Sequence, residues 1–146
     1  MVIILIVVAF SEKTPQPYEL KYDEKKFPAP AIPADNILTD EGVLLGKLLF
    51  YDKILSGNNK QACASCHIQQ YAFTDGKKLA IGSKGGITKK NTMLLVNLAW
   101  SADFFWDGRV KSVEALVKHP IIDSIEMIQD EKELIAELKQ HAHYPT

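Results

Sequence analysis

Both cysteines of the chain stand in one pentapeptide, Cys63-Ala-Ser-Cys66-His67, and no other feature constrains the fold so tightly. Cys-x-x-Cys-His is the attachment signature of c-type haem. Two cysteines three positions apart share one helical turn and each can form a thioether to the porphyrin edge, while the adjacent histidine reaches the iron. Zinc would have to recruit His119, His141 or His143 from far along the chain, at spacings unlike finger or ribbon patterns. A thioredoxin-type dithiol needs a βαβ setting that the sequence does not offer. A disulfide across two residues closes too small a loop to stabilise much. The motif therefore predicts one covalent haem c held by Cys63, Cys66 and His67. It also predicts export, because haem is attached to such motifs outside the cytoplasmic membrane.

The 146 residues, 47% of them apolar, suffice for one core but hardly two. A formal charge of −1, from 17 basic and 18 acidic residues, lacks the basic excess that phosphate-backbone binding requires, which excludes nucleic acid as a partner. Residues 1–10 are almost purely apolar but fall short of the roughly 20 needed for a membrane-spanning helix. They read as a signal-peptide core that lacks its basic n-region, with Val7 and Ala9 as small residues before a cleavage point, or as a membrane tether if retained. Residues 11–36 carry Pro15, Pro17, Pro28, Pro30 and Pro33 and read as an extended arm or tether. The haem domain then occupies residues 37–146.

Its elements read as helices. Thr39 is an N-cap, with Asp40 and Glu41 in the first turn and an apolar stripe of Leu44, Leu45, Leu48 and Leu49 ending near Asp52. Ser56, Gly57, Asn58 and Asn59 form a turn before the cysteine motif, and four glycines make residues 72–90 irregular. Shorter helices are expected over 92–99 and over 112–118, the second capped by Ser112 and closed at Pro120. Asp130 and Glu133 open the last helix, whose buried face is Leu134, Ile135 and Leu138, with Pro145 beyond its end. The class is all-α: a cytochrome c-like haem domain with an extended N-terminal arm.

Several separated motifs occur in a telling order: Leu45-Gly-Lys-Leu-Leu-Phe-Tyr-Asp52, Leu55-Ser-Gly57, the haem box, Ala72-Phe-Thr-Asp75, Phe105-Trp-Asp-Gly-Arg109 and Ile125-Glu-Met127. Together they resemble the bacterial di-haem cytochrome c peroxidase and MauG family, from about Pro28 to about Ile128. That family has two haem domains, and the resemblance covers the first, peroxidatic one; no second Cys-x-x-Cys-His is present in this sequence. It implies a peroxidase-type oxidoreductase that reduces hydrogen peroxide with electrons from a donor cytochrome, another small redox protein or a second haem domain.

The resemblance also assigns roles. His67 becomes the proximal iron ligand and Glu126 the distal acid–base residue, which moves a proton between the peroxide oxygens. Trp106 matches the tryptophan between the two haems, although it follows Phe104 and Phe105 and packing is an equal reading. Asn91 matches a residue of an interdomain calcium site. Asp107 and Arg109 form a local ion pair, with a haem propionate as a second contact for Arg109. Two departures stand out. Leu116 replaces a distal-pocket glutamine, and no histidine lies between His67 and His119 to serve as a resting sixth ligand, so an open five-coordinate iron is expected.

An alternative from another class is a single-haem electron-transfer cytochrome with methionine as sixth ligand. Met127, 60 residues after His67, is the first candidate and Met93 the second. Glu126 and Met127 are neighbours, so on regular backbone only one of them can face the iron.

Overall fold

The computed structural model describes residues 14–144; the apolar segment with Val7 and Ala9 lies outside them, as does Pro145. Within the described residues four α-helices form: α1 (Asp40–Tyr51), α2 (Cys63–Cys66), α3 (Val113–Ile122) and α4 (Glu131–Gln140). Short 3-10 turns stand at Lys53–Leu55, Gln69–Tyr71 and Leu98–Trp100. Among the described residues there is no sheet, and antiparallel pairing is limited to four isolated bridges. The chain is helical, as its sequence suggests.

The caps act where the sequence places them. Thr39 accepts the Gly42 N–H at 3.0 Å, Ser112 accepts that of Ala115 at 3.2 Å, and Asp130 accepts those of Lys132 and Glu133 at 2.8 and 3.0 Å. Each satisfies an orphan donor of a first turn, at about 1 kcal/mol. Asp52 ends α1 and accepts the Ile54 N–H, which starts the next turn.

Two small cores result. Leu55, Met127 and Leu134 bury one another, with Leu49, Ile54, Cys63, Ile121 and Leu138 packed around them. Phe104, Val110 and Leu116 form the second, flanked by Met93, Leu98 and Phe105. Leu116 is thus a core side chain. The Leu44–Leu49 stripe delivers only Leu49 to a core; Leu44, Leu45 and Leu48 are exposed.

Three expectations need correction. No helix forms over 92–99, where the backbone is irregular until the turn at Leu98–Trp100. Two carbonyls that would start its ladder are engaged elsewhere: that of Asn91 by the Trp106 Nε1–H at 3.1 Å and that of Thr92 by the Thr74 hydroxyl at 2.9 Å. Nor does α3 close at Pro120. It continues to Ile122 because the Met127 and Gln129 N–H groups donate to the carbonyls of Pro120 and Ile121 at 3.1 and 2.9 Å, holding a last turn that proline alone would weaken. Finally, Ile135 is exposed, since only the i, i+4 pair Leu134 and Leu138 points into the core.

The N-terminal arm lies extended against the domain. Tyr18 N–H donates to Leu38, and Asp40 N–H donates to Gln16, at 3.0 and 2.8 Å. Tyr22 and Phe27 pack on Trp100, whose indole N–H donates to the Pro28 carbonyl at 2.8 Å.

Candidate haem-attachment site

Ser56 organises the approach to the motif. Its hydroxyl is fully buried, donates to the Lys53 carbonyl at 3.0 Å and accepts the N–H groups of Lys60 and Gln61 at 3.2 and 3.0 Å. The bend so formed leads into α2, where Ser65 Oγ accepts the Ala62 N–H at 3.0 Å and the His67 N–H closes the turn on the Cys63 carbonyl at 2.9 Å. Cys63 and Cys66 therefore share one helical turn, both reduced and both half-buried. Burial pushes both thiols above the usual range, so they are not the poised thiolates of a redox dithiol.

His67 is held by a strained turn. Residues 68–74 close on themselves through an Ile68–Thr74 bridge, with Ala72 and Phe73 both left-handed at φ 55° and 60°. This unusual backbone aims the Phe73 carbonyl at His67 Nδ1, 2.7 Å away. A carbonyl only accepts, so Nδ1 carries the proton and the Nε2 lone pair is the one left for a metal. Burial lowers the imidazole's pKa, against the opposing pull of the Phe73 and Met93 carbonyls, which keeps the ring neutral and able to ligate. Two free thiols on one turn with an oriented neutral histidine beside them are the donor set haem c requires, and the residues fit that group.

Glu126 and Met127 differ in their surroundings. Met127 is buried between Leu55 and Leu134 in the first core. Glu126 is half-buried, and its carboxylate acts electrostatically on the Cys66 thiol. Burial first, then Asp123, raises the Glu126 pKa, while Arg109 opposes them. Arg109 itself lies 3.7 Å above the Phe105 ring and grips Asp107 in a two-pronged ion pair at 2.8 and 2.9 Å, the local pair read from the sequence.

The remaining candidates fall in two places. Trp106 is 58% exposed and its indole N–H bonds the Asn91 carbonyl, which brings these two residues together. His141 and His143 sit near Asp52 and Tyr144. Among the described residues, no three His, Cys, Asp or Glu side chains converge as a metal cluster.

Gln61 was not legible as a site residue. Its amide Nε2–H bonds both the Cys66 sulfur at 3.3 Å and the Ile81 carbonyl at 2.9 Å, a bridge between elements that only the folded chain creates.

Comparison with known proteins bears on this cluster. The family model for di-haem cytochrome c peroxidase matches residues 40–146, most of the chain and all of the site. The chain belongs to the di-haem cytochrome c peroxidase family. Membership implies haem c binding. Among its relatives in the family, the methylamine utilization protein MauG of Methylorubrum extorquens is 41% identical over 95 residues, 65% of this chain and 27% of that protein. The cytochrome-c peroxidase IdrP1 of Denitromonas iodatirespirans is 40% identical over 88 residues, 60% of this chain and 23% of that protein. The chain thus spans about a quarter of the length of these two relatives. A crystal structure of a MauG-like protein associated with microbial copper homeostasis superposes with a TM-score of 0.80 at 34% identity, over 87% of this chain and 38% of that one.

Proposed function

We propose that this chain is a cytochrome c-like domain forming the peroxidatic half of a cytochrome c peroxidase-like oxidoreductase, with one covalent haem c. It reduces hydrogen peroxide to water using electrons from a donor cytochrome or a second haem domain. Haem c, when bound, supplies the redox-active iron through which electrons reach the peroxide.

The chain's own residues supply the rest. Cys63 and Cys66 would hold the haem through two thioether bonds. His67, with Nδ1 held by Phe73, offers Nε2 as the proximal ligand. Glu126 takes a proton from one peroxide oxygen and returns it to the other, so that the departing oxygen leaves as water. Two electrons and two further protons complete the conversion of each peroxide to two waters. The burial that raises the Glu126 pKa brings its carboxyl closer to the working pH, where such a shuttle is most effective. Trp106, exposed beside Asn91, relays electrons from a second haem domain in this reading, and Asn91 contributes to calcium at that boundary. The domain is exported, with the apolar N-terminus as signal or tether.

The observation that carries this reading is the packing of Met127: it is occupied as a core side chain with Leu55 and Leu134, while its neighbour Glu126 is half-buried and within electrostatic reach of Cys66. The same observation weighs against an electron carrier with Met127 as sixth ligand. Replacing Glu126 by Gln keeps the shape and removes the base, so peroxide turnover should fall by about two to four orders of magnitude while haem attachment persists. Unchanged turnover would remove Glu126 from the mechanism.

A further inference from the structure

Glu126 lies between the end of α3 at Ile122 and the start of α4 at Glu131, so no helix fixes its place. Asp123 holds its main chain from one side, where Oδ1 accepts the N–H groups of Ile125 and Glu126 at 2.7 and 3.1 Å. From the other side the Ser83 N–H donates to the Glu126 carbonyl at 2.7 Å, and the Ser83 hydroxyl donates to the Met127 carbonyl at 3.4 Å. Where Glu126 stands relative to the haem-attaching turn therefore depends on what holds residues 81–83, beside the Gly57 bond to the Met127 carbonyl.

Two carboxamides just ahead of Cys63 hold them. Asn58 Nδ2 donates to the Ser83 carbonyl at 2.8 Å, and Gln61 Nε2 donates to the Ile81 carbonyl at 2.9 Å. A carbonyl only accepts, so both amides present their nitrogens to this loop. The Asn58 oxygen closes its own turn by accepting the Lys60 N–H at 3.2 Å. An aspartate would close that turn equally well and donate nothing, so the turn alone does not account for the amide. Gln61 keeps its orientation although its Oε1 is buried with no partner among the described residues. The bend before the haem box does not need it either, because the Ser56 hydroxyl already accepts the Lys60 and Gln61 N–H groups. What the two amides share is the loop they hold.

We propose that Asn58 and Gln61 are positioning residues for Glu126: through residues 81–83 they set the separation between its carboxyl and the haem-attaching turn. Neither touches the reacting atoms. Their service to the reaction rests on the peroxidatic reading of Glu126 above, whereas the hydrogen-bonded tie itself does not. A proton shuttle must hold its carboxyl to within about 0.5 Å, and a displacement of about 1 Å lowers a rate by about a hundredfold.

The test uses the haem-loaded full chain as wild type, Asn58→Asp, Gln61→Met and, for the added charge, Asn59→Asp at an exposed side chain of the same turn. Amide hydrogen exchange reads the Ser83 N–H. Stopped-flow reads the reaction with peroxide and the association of hydrogen cyanide, which must give up its proton to a nearby base as it binds ferric iron. Asn58→Asp keeps the turn and removes the donor; Gln61→Met keeps the length and removes the donor. Each should speed Ser83 exchange at least about tenfold and slow both reactions about ten- to a hundredfold, with haem content and the ferric spectrum unchanged. Asn59→Asp should alter none of these. Wild-type cyanide rates in both amide variants, or an equal loss in Asn59→Asp, would overturn the proposal. So would a purely structural effect, seen as unfolding at lower urea with wild-type rates in the folded protein. If wild type ignores peroxide while Asn58→Asp still frees the Ser83 amide and slows cyanide, the positioning stands and the peroxidatic reading fails. A peroxide reaction that Glu126→Gln abolishes and both amide variants leave alone means the reverse.

Discussion

Ser83 donates its main-chain N–H to the Glu126 carbonyl at 2.7 Å. From the other side, Gly57 N–H reaches the next carbonyl, that of Met127, at 2.9 Å. The Glu126-Met127 dipeptide is therefore clamped between two loops, and the clamp leaves no room. A Cβ on Gly82 would stand 1.7 Å from the Ile125 carbonyl oxygen, and one on Gly57 would stand 2.2 Å from that of Ile128. Ile128 pays for this with a left-handed backbone at φ 55°, rare for a β-branched residue.

Gly82→Ala should therefore push the 125–126 backbone outward. We expect a loss of about 1–3 kcal/mol in urea unfolding and a fall in peroxide turnover at unchanged haem content. Wild-type stability and turnover in this variant would refute the clamp.

Ala72 sits exposed at φ 55°, ψ 39°, a conformation that costs an L-residue about 1–2 kcal/mol and glycine little. Ala72→Gly should stabilise the protein by about 0.5–1 kcal/mol, after the entropic penalty of glycine, with the His67 hydrogen bond kept. Thermal unfolding reads the sign.

The Tyr144 hydroxyl donates to Asp52 at 2.6 Å and, with the Ile54 N–H, holds that carboxyl below its usual range. Its stabilising effect is fully present above the unfolded carboxyl's ordinary value of about 3.9 and is lost as pH falls through the lower folded value. Burial first, then Asp52, pushes the tyrosine up to about 12, so its effect is complete below the unfolded tyrosine's ordinary value of about 10 and is lost as pH rises through about 12. Tyr144→Phe should cost about 1–2 kcal/mol near pH 7, and the difference from wild type should shrink as pH falls below the unfolded carboxyl's ordinary value of about 3.9. A gap independent of pH would contradict the assignment.

Met127→Leu should cost less than about 1.5 kcal/mol and leave the iron spectrum unchanged, because the side chain is occupied in a core. Met127→Ala should cost about 2–5 kcal/mol. A spectral change in the leucine variant would restore methionine as a ligand.

Local chemistry was readable before the fold. Thr39, Ser112 and Asp130 cap helices because each needs only a donor two or three residues on, and Cys63, Cys66 and His67 share a turn by spacing alone. Long-range competition was not readable. Nothing in the run 92–99 announces that the carbonyls of Asn91 and Thr92 serve Trp106 and Thr74, and Pro120 stays inside α3 because residues 127–129 come back to hold its last turn. Gln61 and Gly82 acquire meaning only when distant loops meet. The choice between Glu126 and Met127 could be posed from the sequence, and the packing of Met127 against Leu55 and Leu134 bears on its answer.

The most direct measurement is the optical and paramagnetic spectrum of the haem-loaded ferric protein before and after peroxide, for wild type and Glu126→Gln. The account predicts a high-spin ferric iron whose spectrum changes on adding peroxide. The change should be far slower in the variant, and in wild type it should weaken as pH falls through the raised pKa of Glu126, whose proton-free form is the base. A low-spin iron with methionine character, unmoved by peroxide in both proteins, would contradict it.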